Sequence, residues 1–487
     1  MRKQSKAEEY KMRISFMGKY ASFLLPALLA VSDYFAVLLA EGTAYYLRSN
    51  VLPLFHGEFV IPRLYFYVIV PFIFLCMLHM AHTHIRSMPF WKMAKNVFAA
   101  TLYAVLLITM LMYFGRVSEV VSRLYVAMVW GFSFIFILGF RYLLKTYLNT
   151  QEMLQVPVLF IGAGKTAELV LRSFHHDTGF GFKVLGFIDD HPVSDWISQE
   201  FHILGGFHDI ERIVRETGVQ NVIITAPGLM TTQLLEIINR VQPCVRHISF
   251  VPDLLGMPVG NIEIESLVDE KIMMIKVRNN LASAYNRILK RIFDIVVSLV
   301  GLLVALPLGG LLAIAIYVDS PGPVVFAHRR VGRGGKEFPC YKFRTMVPNA
   351  ETILRDYLIE HPEANQEWQR DFKLKEDPRI TRIGAFLRRT SLDELPQLIN
   401  VLKGEMSLVG PRPIVRAEIV KYGEYIHDFY LVPPGITGMW QVNGRSDTTY
   451  EQRVEMDSWY VRNWSVWIDM VYLLKTVKVV LLRKGAY

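Results

Sequence analysis

Cysteine is almost missing from this sequence. Three stand in 487 residues, Cys76, Cys244 and Cys340. They lie too far apart for a disulfide framework or a metal-ligand spacing, so a small cross-linked fold is excluded and the soluble parts are expected in a reducing compartment. Charge is thin as well, at 20% of residues against 52% hydrophobic and 13% aromatic. With a mean hydropathy of +0.28, one ordinary soluble domain is excluded. The charge that is present leans positive, to a formal net of +9 and a pI near 9.2. That balance suits anionic headgroups or nucleotide phosphates. The basic residues cluster at expected membrane boundaries, so no nucleic-acid partner is expected.

Four apolar runs fill the first third: Ser22 to Leu47, Leu64 to Met80, Val97 to Phe114 and Leu124 to Leu144. Each approaches the roughly 20 residues that a helix needs to cross hydrocarbon. The first run follows a basic start, is too long for a secretory signal and lacks a clear cleavage site, so it reads as a retained anchor. Arg2, Lys3, Lys6, Lys11, Arg13 and Lys19 precede it; Arg86, Lys92 and Lys95 separate the second and third runs; Arg141 and Lys145 close the fourth. The positive-inside rule then puts both ends of a four-helix transmembrane bundle, 1–150, in the cytoplasm.

Residues 151–280 read differently. Val156 to Gly162 is a buried-strand pattern, followed by the turn Gly162-Ala163-Gly164-Lys165-Thr166-Ala167. A strand over Lys183 to Ile188 ends at Asp189 and Asp190, and a helix near Ile210 to Thr217 precedes a strand over Asn221 to Thr225. Alternating strands and helices predict a parallel, Rossmann-like α/β domain. Its glycine turn is only a partial dinucleotide fingerprint. Short strands and turns are expected over Leu254 to Val277, then a polar linker, Arg278 to Asn286.

The third region, 281–487, opens with Arg287, Lys290 and Arg291 before an apolar run, Ile292 to Val318. Basic residues stand at both ends of that run, Arg329, Arg330, Arg333 and Lys336 following it, and Pro307 interrupts it. A proline inside a helix removes a donor and clashes with the preceding turn. A re-entrant membrane helix over about 288–318, broken at Pro307 and leaving on the side it entered, satisfies both facts. The rest is then a mostly α, monotopic, cytoplasmic catalytic domain. Its last stretch, Trp459 to Tyr487, mixes tryptophan, lysine and apolar residues as an interfacial helix does.

Chemistry-bearing residues concentrate after Asp319. Glycine backbone amides and cationic side chains around Val331 to Gly335 and at Lys342 and Arg344 suit a phosphate-rich ligand. A basic surface facing lipid reads the same way. Further on stand Arg388, Arg389 and the acidic pair Asp393-Glu394, with Arg412 in Gly410-Pro411-Arg412-Pro413. One reading makes Ser391 a helix cap, with both carboxylates in the first turn and Glu394 completing a capping box. The other makes Asp393 a nucleophile beside a Mg²⁺ site, within a ring of arginines that handles phosphoryl groups.

The pieces Lys290-Arg291 with Phe293-Asp294, Ser320 to Pro323, Tyr341 to Met346, Asp377 to Gly384, Ser391 to Gln397, Gly410 to Pro413, Pro434 to Gly438 and Gln441 to Arg445 follow one another over the last 200 or so residues. In that order they resemble the bacterial sugar transferases, the polyprenyl-phosphate hexose-1-phosphate transferases in their long form, and within them most of all the galactose phosphotransferases of O-antigen synthesis. His328 and Thr345 depart from residues common in the family, Gln and Ser. The resemblance implies an inner-membrane enzyme that moves galactose-1-phosphate, or alternatively glucose-1-phosphate, from a UDP-sugar to undecaprenyl phosphate as the first step of O-antigen, capsule or exopolysaccharide synthesis. It implies Asp393 as nucleophile, Glu394 with Asp393 at Mg²⁺, and Arg388, Arg412, Lys342, Arg344, Gln441 and Arg445 as phosphate or substrate contacts. The middle domain is left to regulation, an effector or the pairing of protomers into a homodimer. Two rivals stand. A nucleotide-sugar dehydratase usually needs Tyr-x-x-x-Lys, which does not occur; a non-catalytic membrane scaffold has no use for the acidic pair.

Overall fold

The computed structural model describes residues 16–51, 62–84, 88–114, 122–177, 181–252, 262–267, 272–277, 280–365, 374, 377–443 and 448–481. The chain divides into two compact units, Met1–Leu254 and Leu255–Tyr487.

The first unit begins with α1 (Phe16–Tyr46), α2 (Val70–Met80, entered through a π-helical turn at Tyr65–Ile69), α3 (Phe90–Phe114) and α4 (Arg123–Thr150). One face of each helix builds the bundle core, where Ala36, Ala44, Phe74, Leu78, Val97, Ala104 and Ile137 are fully buried. The outward faces are apolar too, with Phe35, Leu39, Tyr103 and Leu106 exposed. A helix that is hydrophobic all round belongs in lipid, and this is a membrane protein. Leu24–Val51, Phe90–Phe114 and Arg123–Thr150 are long and apolar enough to cross a bilayer; Tyr65–Met80 is shorter, about 24 Å of helix against roughly 30 Å of hydrocarbon. One polar cluster inside the bundle is paired. Buried Asp33 accepts from Arg141 Nε at 2.9 Å and lies 2.8 Å from His84 Nε2.

The same unit carries β1 (Val156–Ile161), α5 (Lys165–His176), β2 (Phe182–Ile188), α6 (Asp195–Glu200), β3 (Ile203–Gly205), α7 (Ile210–Thr217), β4 (Asn221–Ile224), α8 (Thr231–Val241) and β5 (His247–Phe250). The sheet order is β3-β2-β1-β4-β5, with every pairing parallel. The sequence anticipates this sheet because β1 is buried on both sides: Val158 and Phe160 join one core, Leu159 and Ile161 the other. Gly162 ends β1 with φ +101°, and a Cβ there would lie 2.9 Å from that of Ala226. Asp189, the acid of the partial fingerprint, bonds this turn itself, taking the Ala163 N–H at 2.6 Å on Oδ2 and the His191 N–H at 2.8 Å on Oδ1.

The second unit starts with an antiparallel hairpin, β6 (Ile262–Leu267) and β7 (Ile272–Val277). The 36-residue α9 (Ala284–Asp319) follows. Its polar residues recur at i, i+4 and i+8, and Lys290, Asp294 and Ser298 are all buried. Most other positions are apolar and open, among them Ile292, Val296, Leu299, Leu303 and Val304. Near the far end Leu312 and Ile316 are buried against Leu387. Both ends of α9 therefore pack on the rest of this unit. Helical structure runs through Pro307 rather than breaking there. A proline deletes one ladder bond, and the bonds on either side carry the helix past it.

Next come the hairpin β8 (Val325–Val331) and β9 (Glu337–Phe343), then α10 (Ala350–Glu360), α11 (Arg382–Thr390), α12 (Gln397–Lys403) and β10 (Ser407–Val409). The chain ends with α13 (Ile419–Tyr422), α14 (Ile426–Leu431), β11 (Gly435–Thr437), α15 (Met439–Asn443), α16 (Tyr450–Arg462) and α17 (Val466–Leu481). The core of this unit gathers Leu281, Phe338, Cys340, Val401, Val409, Tyr460, Trp464 and Tyr472. The interfacial reading of the C-terminal stretch needs correction at Trp464. Trp464 is 1% exposed and donates from Nε1 to Asp469 at 3.0 Å, so it is a core residue with its polar edge satisfied. The lipid-compatible stripe on α17 is instead Leu474, Val477 and Val480, all exposed.

Candidate active site

The β8–β9 hairpin sets the floor of the site. Its register pairs Phe326 with Lys342 and His328 with Cys340. Asn400, fully buried on α12, accepts from Tyr341 N at 3.0 Å and donates to Pro339 O at 2.7 Å, which fixes α12 against β9. Between α11 and α12 the chain turns through Ser391, at φ +56°, into the one-turn 3-10 helix Leu392–Glu394. Ser391 makes no side-chain cap, so the helix-cap reading of this residue does not hold. The residue closes α11 in the left-handed conformation instead. That sharp turn points the acidic pair at β9.

Lys342 Nζ meets both carboxylates, at 2.7 Å from Glu394 Oε1 and 3.4 Å from Asp393 Oδ2. The Asp393 side chain is 13% exposed and that of Glu394 36%, so the first is walled in and the second opens outward. Burial pushes the Asp393 carboxyl above the usual aspartate range; Lys342 pulls against the rise, and Glu394 adds to it. Desolvation opposes the charge on Lys342, but Glu394 and Asp393 together hold its ammonium above the ordinary value.

Arginines stand around this pair. Arg388, in the last turn of α11, donates from Nε to Thr345 Oγ1 at 3.0 Å. Burial lowers its pKa, while Asp377 and Asp393 act as its charge partners. Asp377 is itself clamped by Arg379 at 2.8 and 2.6 Å. Arg344 follows directly after β9, two positions beyond Lys342. Its Nη2 donates to Ser320 O, while buried Nε and Nη1 have no hydrogen-bond partner. Arg412 comes from the loop after β10. That loop is held by Gly410 N to Thr437 O at 2.9 Å and Gly435 N to Pro411 O at 2.8 Å. A Cβ on Gly410 would lie 2.8 Å from Gly435 N, so only glycine lets the two backbones come this close. The Arg412 guanidinium lies 5.1 Å from the centre of the Trp440 ring, next to Gln441 in the sequence. Arg445 lies outside the described residues.

Among the described residues no group of three or more His, Cys, Asp and Glu forms a metal cage. A magnesium site does not require one, because Mg²⁺ is held by one or two carboxylates plus substrate phosphates and water. Glu394, open to solvent beside Asp393, fits that pattern. Sequence reasoning singled out Lys290 and Asp294 within a motif but gave them no part in holding the site together. Lys290 Nζ pairs with Asp469 at 2.8 Å and donates to Val409 O at 3.1 Å; Asp294 accepts from Ser407 Oγ at 2.8 Å and Leu408 N at 3.2 Å. Ionisable residues on the buried stripe of an otherwise apolar helix were the available signal.

The acid pair, bridged by an ammonium and with guanidiniums nearby, lies on a unit whose longest helix is apolar enough for a bilayer. The chain belongs to the bacterial sugar transferase family, which matches residues 285–483; a CoA-binding domain matches residues 81–252. It is 37% identical over 482 residues, 96% of this chain and 99% of the relative, to undecaprenyl-phosphate galactose phosphotransferase of Salmonella typhimurium. A UDP-glucose:undecaprenyl-phosphate glucose-1-phosphate transferase of Escherichia coli is 33% identical over 66% of each chain. The exopolysaccharide production protein ExoY of Rhizobium meliloti is 43% identical over 198 residues, 41% of this chain but 88% of that one.

Proposed function

We propose that this protein transfers galactose-1-phosphate from UDP-galactose to undecaprenyl phosphate, releasing UMP, at the cytoplasmic face of the inner membrane. The observation that carries the reading is a buried Asp393 flanked by Lys342, Arg388 and a more open Glu394. A carboxylate oxygen of Asp393 attacks the sugar-bearing phosphorus, and the bond to the UMP oxygen breaks. The lipid phosphate then forms a bond to the same phosphorus, the bond to Asp393 breaks, and the carboxylate is restored. Lys342 aims Asp393, and Arg388, Arg344 and Arg412 offset phosphate charge in both steps. Mg²⁺ held by Glu394 and Asp393 supplies further charge neutralisation when bound. The 37% identity over nearly the whole chain to a galactose phosphotransferase supports the sugar. The glucose enzyme among the relatives supports the second reading, glucose-1-phosphate. A UMP-release assay with Mg²⁺, polyprenyl phosphate and a panel of UDP-sugars tests both; release from none of them would overturn the proposal.

Asp393 must be ionised to attack, and burial raises its pKa. The rate of UMP release is expected to fall on acidification at a pH above the ordinary aspartate value of about 3.9. An acid limb at or below that value in the pH profile would contradict a buried nucleophile.

The re-entrant path for α9 is supported by basic residues on both sides of its apolar run, Ile292 to Val318, and by the packing of both ends on one unit. A cysteine placed near Tyr487 is therefore expected to resist an impermeant maleimide applied from the periplasmic side. Labelling there would mean a full span.

The middle domain is dispensable for the chemical step in this reading. Asp189 fills the glycine-turn amide of Ala163 with its own carboxylate, and ExoY is matched along most of its length by 41% of this chain. A protein beginning near Asn280 is expected to keep UMP release within about tenfold of the full chain. If it folds and binds lipid yet releases none, the middle domain takes part in catalysis.

A further inference from the structure

The side of the β8–β9 hairpin that faces the acid pair carries two exposed rings with no part in the chemistry above. Residues directly opposite one another in an antiparallel pair point to the same side, as do residues two apart on one strand. Lys342 meets the acid pair. Its cross-strand partner Phe326, and then His328 and Arg330 along β8, share its side of the hairpin. Arg330 Nη1 donates to the carbonyl of Pro413, beside Arg412, at 3.4 Å. His328 therefore lies between the lysine of the acid pair and the arginine that reaches the Arg412 loop. Phe326 and His328 are both exposed, with ring centres 6.3 Å apart. Partial burial holds the His328 imidazole below the usual histidine range, and Arg330 and Lys342 add to that effect against a backbone hydrogen bond at Arg329. A neutral imidazole has one donor nitrogen and one acceptor nitrogen. Ionised phosphate oxygens offer lone pairs only, so the acceptor nitrogen gains nothing from them. A sugar hydroxyl both gives and takes a hydrogen bond, and the C–H face of a pyranose buries well against an exposed aromatic ring.

We propose that Phe326 and His328 form the hexose-binding edge of this site: the pyranose of the donor lies against the Phe326 ring, and one of its hydroxyls bonds the His328 imidazole. The inference rests on the sugar-phosphate transfer proposed above and adds the residues that recognise the sugar. The placement fits that chemistry. The phosphorus attacked by Asp393 carries the hexose before and after the attack, so the sugar stays next to the phosphate that Lys342 and Asp393 approach. Directly opposed residues of a hairpin stand about 5 Å apart at Cβ, which puts Phe326 within reach of a sugar on that phosphate. Both rings stand open on a two-stranded hairpin, so their removal leaves no cavity in the core.

The test compares UDP-galactose with UDP, which keeps the ribose and both phosphates but lacks the hexose. Binding of each is measured by calorimetry to full-length Asp393→Asn protein, which holds the donor without turning it over. The same protein is then given His328→Ala, His328→Gln or Phe326→Ala. The two alanine changes are each expected to weaken UDP-galactose roughly 3- to 10-fold, for the loss of one hydrogen bond or one ring contact. UDP is expected to bind as before, which also shows that the variants fold. Glutamine keeps a donor and an acceptor, so His328→Gln is expected to bind UDP-galactose nearly as the parent does. Parallel weakening of UDP would place the rings at the nucleotide and overturn the proposal, and so would unchanged affinity for both ligands. Loss of vesicle binding by Phe326→Ala, with donor affinity intact, would assign that ring to the bilayer and overturn it too. A loss seen with UDP-glucose instead of UDP-galactose would uphold the hexose edge and change the sugar of the proposed function. That function fails in a separate experiment, if the wild-type enzyme releases UMP from no UDP-sugar.

Discussion

Asp393→Asn is expected to cut sugar-phosphate transfer by about 10³-fold or more while the protein still inserts and folds. An amide oxygen is a poor phosphoryl acceptor, and loss of a nucleophile removes the whole covalent route. The neighbourhood argues that the fold survives, because Lys342 keeps Glu394 at 2.7 Å when Asp393 is neutralised. The experiment is single-turnover UMP release from UDP-galactose, in the absence of lipid, so that only the first step is read. Near wild-type release by this variant would falsify the nucleophile assignment. Asp393→Glu separates charge from position: it restores the carboxylate on a longer arm, and a recovery to wild-type rate would show that the tight wall around Asp393 matters little.

The second large effect concerns stability. Lys290→Met leaves Asp469 buried at 1% side-chain exposure without its cation. Breaking a buried pair from one side costs about 3–5 kcal/mol, because the remaining charge is stranded. Asp469 retains the Tyr460 hydroxyl at 2.7 Å and the Trp464 N–H at 3.0 Å, which places the expected loss at the lower end. The double variant Lys290→Met, Asp469→Asn is expected to be more stable than the sum of its single changes, since no stranded ion remains. Melting in detergent micelles measures all three proteins. Strict additivity would show that the two side chains do not act as a pair.

Local patterns in the sequence carry the parts of this molecule whose cause is local. Long apolar runs, the two-sided burial of β1 and the helix at Ile210–Thr217 all follow from periodicity. The acid pair and its arginines stand out because a carboxylate doublet beside basic residues has few structural uses. Elsewhere distant partners decided the outcome. Ser391 has the local signature of a helix start, yet α11 runs up to it and uses it as a left-handed stop. Tryptophan and lysine near the C-terminus carry a membrane-interface signature, yet Asp469 draws Trp464 into the core.

The pairing of Lys290 with Asp469 spans 179 positions of chain, and this bears on biogenesis. At translation speeds of roughly 5–20 residues per second, the ammonium on α9 leaves the ribosome about ten to forty seconds before its counter-ion exists. During that interval the helix already has its apolar face, while the stripe of Lys290, Asp294 and Ser298 has nothing to meet. Docking of that stripe through Lys290 therefore waits until Asp469 has been made. Only when α17 emerges does it lock α9, so a ribosome that stops before Asp469 leaves behind an unfastened helix.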